Sequence, residues 1–421
     1  MYQSIKEYFD YASNIAVSDT LAIKKLLDSK IPYNMVNGIF FPIDDKYKEL
    51  QLSCLKAIYK KDGYNHSAIS EDEIKQLLRT MAAKQYIDEQ DQTNGFIKEL
   101  ESFMTTEVIY IVPNYALILT DGITSFQIGL VKCVMTESIK SDYEKNVRNI
   151  NILINENKVG HQVINSQPAF ALPAQCFCIN LKCSPKRANN MAQWYVDIAI
   201  SLFRLYAFKC KTDYGHFPRI GELDPLAFEA RNGNDSALTI FPTEKKSSYG
   251  TYSSYLVYEI NQETIKQFFA SNFKEVCSKI FLAKSDFVCE RLQRTLGWMT
   301  KARSSHDLSM RFLFFFTALE ALLTPQGTNT QITDTIARNV ATIIADIDTR
   351  FTIYNKVKGL YDVRSRLVHS GSREVAESDC DQLQYYTELV CLEIINSSID
   401  KDIKTFHTEL KEAGFGRKWG S

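Results

Sequence analysis

No run of about 18 apolar residues occurs in the 421-residue sequence, which excludes a bilayer-spanning helix. The opening stretch MYQSIKEYFDYASN carries acidic residues and lacks the apolar segment of a secretory leader, so the chain is expected to be cytoplasmic and no membrane partner is expected. Neither sign of charge is in excess: 49 basic residues stand against 50 acidic ones, a net charge of −1. A polyanionic partner therefore has to be held by a local basic patch, because the whole molecule will not attract one. Internal repeats and low-complexity tracts are also missing. The ten cysteines include no second pair and no histidine at zinc spacing, so no metal and no other cofactor is expected. Cys176 and Cys178, with Cys183 nearby, point instead to the core side of a strand, and without export the thiols are expected to stay free.

What is present is ordinary globular material, 45% apolar and 24% charged, enough at about 150 residues per domain for two or three domains. Residues 1–103 read as helical, with amphipathic segments at 4–11, 19–27 and 47–59 and a capped one at 70–82. There Ser70 and Glu73 have the spacing of a capping box, with acids at the positive end of the helix dipole. A helix-turn-helix reading of 47–92 carries no mark specific to DNA.

From about 104 the texture changes to β-branched and aromatic runs at 107–112, 115–119, 126–133, 149–154, 162–165 and 175–181, broken at Pro113-Asn114 and Asp121-Gly122. These predict an antiparallel sheet or a β-sandwich-like region. The stretch 191–210, apolar around most of its circumference, is expected at the centre of the first domain. Residues 211–254 are loop-rich, with a mobile loop expected at 232–252 and a strand at 255–260. Beyond 262 helical periodicity holds over 262–282, 286–302, 306–323, 332–346, 352–369 and 376–398, and the short connections predict an up-and-down bundle. The expected fold class is α+β: a mixed helical and antiparallel β region followed by an all-α helical bundle. The expected divisions are 1–103 and 104–261, forming one unit, and then 262–421.

The segment IYNKVKGLYDVRSRLVHSG at 353–371 is the most informative. At about 100° per residue Ile353, Val357, Leu360, Leu367 and Val368 share one face, and Arg364 projects within that apolar stripe. Arg366 projects from the opposite side. His369 follows Arg364 by five residues, about 140° further round, and the helix is predicted to stop at Ser370-Gly371. Glu320 likewise interrupts the apolar run FLFFFTALEALL, where an unpaired carboxylate is costly, and is expected to contact Arg364.

The run Arg364-Ser365-Arg366-Leu367-Val368-His369 resembles the active-site motif of HEPN-domain ribonucleases. Together with RFLFFFTALEALL at 311–323, it is similar to the ApeA-like branch of that superfamily over roughly the last third of the chain. Ser365 stands where many such nucleases carry Asn, Asp or His. The resemblance implies a HEPN bundle at 262–421 and metal-independent RNA cleavage by Arg364 and His369; Asp362 and Ser365, which share a polar helix face with His369, are expected to line the cleft, and Glu320 is expected to fix the Arg364 guanidinium. It also implies a homodimer in which two motif helices share one cleft, and a toxin-like role in defence against phage. In that role the first 260 or so residues would sense or restrain, and a phage-derived trigger is a candidate partner. The chemistry fits the residue types. An imidazole reaches both protonation states near neutral pH, and a guanidinium keeps its charge and can hold two phosphate oxygens at once.

Plainer readings stand beside these. Arg364 suits a structural ion pair or a snorkelling side chain, and His369 suits a helix C-terminus. Lys182, Lys186 and Arg187 suit a solvated loop. His306 suits a helix start, and His66, His161, His216 and His407 have no sequence partner. The competing functions are a non-catalytic HEPN module that dimerises and binds nucleotide or protein, and a nucleic-acid-binding regulator using the N-terminal half. Near-neutral charge weighs against the regulator, because non-specific nucleic-acid binding draws on many basic contacts.

Overall fold

Ile5, Tyr8, Phe9 and Ala12 recur at three- and four-residue steps, and all four are buried on helix α1 (Tyr2–Ile15). The computed structural model describes residues 1–29, 31–60, 69–105, 107–143, 151–154, 160–164, 167–210, 217–222, 237–241, 246–250, 257–325, 332–371, 373–416 and 419. Its contacts divide the chain into two units, Met1–Tyr110 with Ile179–Gln193, and Ile111–Cys178 with Trp194–Ser421.

In the first unit, α1 is followed by α2 (Thr20–Asp28), a hairpin of β1 (Tyr33–Val36) and β2 (Ile39–Pro42), α3 (Asp45–Tyr59), α4 (Glu71–Asp88) and α5 (Thr93–Thr105). The hairpin and α5 were not expected. Asn37 and Gly38, both at positive φ, make the tight turn that joins the hairpin strands. The helices close round one core that includes Tyr8, Phe9, Phe41, Tyr47 and Phe96. The Tyr8 hydroxyl donates to that of Tyr47 at 2.7 Å, so the buried polar ends satisfy each other. The α4 capping box forms in both halves, Glu73 N–H to the Ser70 hydroxyl and Ser70 N–H to the Glu73 carboxylate.

The strand-rich stretch contains β3 (Glu107–Pro113), β4 (Leu117–Leu119), β5 (Ser125–Ile128), β6 (Val131–Met135), the short helix α6 (Thr136–Tyr143), β7 (Asn151–Ile154), β8 (Gly160–Ile164), β9 (Gln167–Leu172) and β10 (Gln175–Lys182). The long helix α7 (Pro185–Cys210), β11 (Ala237–Phe241), β12 (Lys246–Gly250) and β13 (Tyr258–Ile260) follow. Instead of one antiparallel sheet there are several small ones, the largest ordered β3-β10-β6-β5. The pairings of β13 with β4 and of β7 with β9 are parallel. The β13–β4 pairing joins residues over a hundred positions apart, which local alternation does not disclose. The expected break at Pro113-Asn114 is real: the buried Asn114 carboxamide accepts from the N–H groups of Ala116 and Leu117. Within the expected mobile loop, β11 and β12 form an antiparallel pair; the rest of 232–252, with His66, His216, Asn149, Asn165, Gln326 and Gly327, lies outside the described residues.

The grouping of 104–261 with 1–103 is corrected in the same way. Most of the stretch, and α7 from Trp194 onward, packs in the second unit. The cause is aromatic: Phe203 on α7 meets Phe126 and Phe268 at ring distances of 5.9 and 4.9 Å, and Phe273 joins them.

Helices then run to the end: α8 (Gln262–Ala270), α9 (Phe273–Phe281), α10 (Val288–Arg303), α11 (Leu308–Leu323), α12 (Ile332–Ile344), α13 (Arg350–His369), α14 (Glu377–Ser397) and α15 (Ile403–Gly414). The helix expected over 262–282 is two, because Ser271 bonds back to the Phe268 carbonyl and Tyr206 takes the Asn272 carboxamide at 2.8 Å. The unexpected α15 is capped by Asp402, which accepts from Thr405 N–H at 2.9 Å, and buries Ile403, Phe406, Leu410 and Ala413.

His407 on α15 has a ring nitrogen, Nε2, that is buried without a hydrogen-bond partner among the described residues. Burial, aided by Arg291, pushes its imidazole down to about 4. Because the folded value lies below the unfolded value of about 6.5, this contribution to stability is complete above the unfolded value and is lost as pH falls toward the folded one. Urea midpoints at about pH 7 and about pH 5 are expected to differ less for His407→Leu than for the wild type. An equal drop in both proteins would rule His407 out as the titrating group.

Candidate active site

Helix α13 forms where its apolar spacing places it and buries Val357, Leu360, Tyr361, Val363 and Leu367. Val368, expected on that face, is 48% exposed in the last turn, and Ile353 is only half-buried. The helix ends as the sequence predicts. Ser370 N–H donates to the Arg366 carbonyl at 3.0 Å, and Gly371 takes φ +67°, a left-handed conformation that favours glycine. Arg366 is exposed.

Arg364, at the edge of the buried face, is held from two sides. Its Nη2 lies 3.3 Å from Glu320 Oε1 on α11, and its guanidinium stands 5.5 Å from the centroid of the Tyr361 ring. Tyr361 donates its hydroxyl to the same Glu320 oxygen at 2.6 Å and packs edge-on against Phe316. Burial first, and then Glu320, push the Tyr361 phenol well above its ordinary range, so it stays a donor. The Arg364 and Glu320 side chains are 27% and 26% exposed, which places the pair at the rim of the bundle. A pair that open to water is worth roughly 0–1 kcal/mol. Its main physical effect is to fix where the guanidinium points.

His369 is the last residue of α13 and is exposed, as is Asp362, while Ser365 is half-buried. Among the described residues no hydrogen bond or ion pair reaches the His369 side chain, and none joins it to Arg364 within one chain. Just beyond the helix, Arg373 pairs with Asp307, the residue that caps α11. Away from this site, Cys176 and Cys183 are buried thiols, and Lys182 pairs with Glu107 at 3.6 Å.

A second polar constellation lies in the same unit. Arg204 on α7 contacts Glu222 at 2.6 Å and Glu388 on α14 at 2.8 Å. Arg303 at the end of α10 contacts Glu388 at 3.1 Å and also donates to Ser201 and Thr300. Gln384 donates to Glu222 at 2.9 Å and accepts from Arg311 on α11. All four charges are buried, the Arg303 side chain completely. Burial pushes the Arg303 guanidinium down to about 10. Burial also pushes the Glu222 carboxyl up, but Arg204 and hydrogen bonds from Arg219, Gln384 and Arg204 outweigh it and bring it to about 2. Sequence reasoning missed this group although the signal that exposed Glu320 was there: Arg204 interrupts SLFRLYAF and Glu388 interrupts YYTELVCLEII.

No protein-family model, curated protein or solved structure matches this chain. No helix among the described residues is long and apolar enough to cross a membrane.

Proposed function

We propose that this chain is a metal-independent endoribonuclease of the ApeA-like HEPN type, with Arg364 and His369 as its reacting pair. The observation that carries the reading is a guanidinium fixed by Glu320 and Tyr361 at the rim of a helical bundle, followed on the same helix by an exposed terminal histidine. A purely structural arginine needs no open side; this one keeps 27% of its side chain in water.

In the proposed reaction a histidine takes the proton of a ribose 2′-hydroxyl, and the 2′-oxygen attacks the adjacent phosphorus. Arg364 holds the non-bridging oxygens as charge develops on them. The 5′-oxygen leaves with a proton from a second acid, which yields a 2′,3′-cyclic phosphate and a 5′-hydroxyl. One chain carries a single Arg364–His369 pair, so the second proton-transfer group comes from a two-fold mate, whose α13 faces the first across a shared cleft. Asp362 and Ser365 then line that cleft. A toxin-like role against phage belongs to the same proposal and rests on the resemblance alone.

The test is incubation of the purified protein with total RNA in EDTA. Cleavage to fragments with cyclic phosphate ends, at a rate the chelator does not change, supports the reading. RNA that stays intact overturns it.

A further inference from the structure

The outward face of α13 does not end at His369. Counting back 18 residues, five full turns at about 100° each, brings Phe351 onto the same side of the helix, about 27 Å away. Between them Asn355, Lys358 and Asp362 fall within about 40° of that line and are exposed, with half-buried Ser365 beside them. Phe351 is 74% exposed. Its ring lies 6.2 Å from that of Tyr354 and within 19° of parallel to it. Lys358 Nζ sits 5.3 Å from the Tyr354 centroid. Exposed Arg366 lies about 60° and exposed Lys356 about 140° round from that line, against one exposed acid of the helix, Asp362; Asp334 on α12 accepts from the Tyr354 hydroxyl, and Arg364 lies about 140° to the other side, paired with Glu320.

We infer that this stripe is a track for single-stranded RNA, with the Phe351–Tyr354 pair as a platform for an unpaired base and Lys358 and Arg366 along the backbone. The inference rests on the ribonuclease reading and adds to it the strandedness of the substrate and the direction in which it leaves the site. Base faces stack on exposed aromatic rings whatever the sequence, and a cationic groove tracks the phosphates. In a chain of net charge −1, a helix with this local excess is the patch that a polyanion requires. A second copy of the chain fits the N-terminal half of the stripe poorly, because a two-fold contact there sets lysines against lysines. Asp346 and Asp348, in the turn before α13, end the basic run, so the last group held is a base and not a phosphate. The distance to His369 corresponds to about eight nucleotides if the bases stay stacked at about 3.4 Å, and to fewer if the strand is drawn out.

The test uses the full chain and a fluorescein-labelled single-stranded oligonucleotide whose 2′-hydroxyls are methylated, so that it binds without being cut. By anisotropy, Phe351→Ala is expected to weaken binding about 5- to 100-fold, Phe351→Tyr to restore it, and a duplex of the same sequence to be indifferent to both. Unchanged binding in Phe351→Ala, or wild-type protein that binds no strand, overturns the track. So does sedimentation showing that Phe351→Ala converts a dimer to a monomer, which would assign the face to a protomer contact. Cleavage of total RNA is measured separately. Cutting with no Phe351 dependence of binding sinks the track alone, whereas Phe351-dependent binding with no cutting sinks the nuclease reading alone.

Discussion

His369→Ala is expected to lower RNA cleavage by about 10²–10⁴-fold, the range usual for losing a positioned proton-transfer group. Stability should hardly change, because the side chain is exposed and no hydrogen bond or ion pair among the described residues is lost with it. Arg364→Gln is expected to cost about 10²–10³-fold, mostly in kcat, since a cation that meets charge developing on phosphate acts on the transition state more than on ground-state binding. Among the described residues the polar partners of the Glu320 carboxylate are the guanidinium and the Tyr361 hydroxyl, so Glu320→Gln should cost less. Its effect should vanish when Arg364 is already replaced, because a positioning residue has nothing left to position. The measurements are single-turnover cleavage of a labelled RNA and urea midpoints for the same proteins. A His369→Ala protein that cuts at the wild-type rate removes the proposed chemistry, and independent effects of Glu320→Gln and Arg364→Lys on cleavage and stability remove the positioning role.

Where the sequence speaks through local periodicity, it is legible. The limits of α13, its glycine stop, the α4 capping box and the bend at Asn114 all follow from residues within a few positions of one another. The contact of Glu320 with Arg364 links positions 44 apart, yet it was within reach because each charge interrupts an apolar face and so needs a partner. The register of small sheets was out of reach. Tyr258 meets Leu117 in a parallel pair, and nothing in either short run names the other. The packing of α7 with the C-terminal helices, where the first domain was expected, was out of reach for a similar reason: a helix apolar all round says that it is buried but not by what. Arg204, Arg303, Glu222 and Glu388 were legible in part. Two of them break apolar runs visibly, whereas Arg303 ends a helix in KAR and reads as a solvated C-terminal cation until its complete burial is seen.

That buried quartet sets the second large effect. Glu388→Ala is expected to destabilise the protein by about 3–5 kcal/mol, because Arg204 and Arg303, both buried, would be left with one carboxylate, Glu222, between them. Against a total stability of about 5–15 kcal/mol, the variant would stand close to unfolding at ordinary temperature. Removing the charges as a pair should act otherwise. Burial already pushes the Arg303 guanidinium down to about 10, and its Nε is buried without an acceptor among the described residues, so this cation is held at a cost. Arg303→Met with Glu388→Met together leaves Arg204 balanced by Glu222 and fills the space with apolar volume, which is often neutral or stabilising. Urea unfolding of the two singles and the double therefore separates two readings of the cluster. A double variant far more stable than Glu388→Ala means that charge balance, and not the individual hydrogen bonds, is what the fold requires. A double variant as unstable as the sum of the singles would mean that the bonds to Ser201 and Thr300 matter more. Acid separates them again. Because Glu222 is held at about 2, below its unfolded value of about 4.5, its contribution is complete above the unfolded value and is lost as pH falls toward the folded one. That loss should persist in the double variant, which keeps Arg204, Arg219 and Gln384 around the carboxylate.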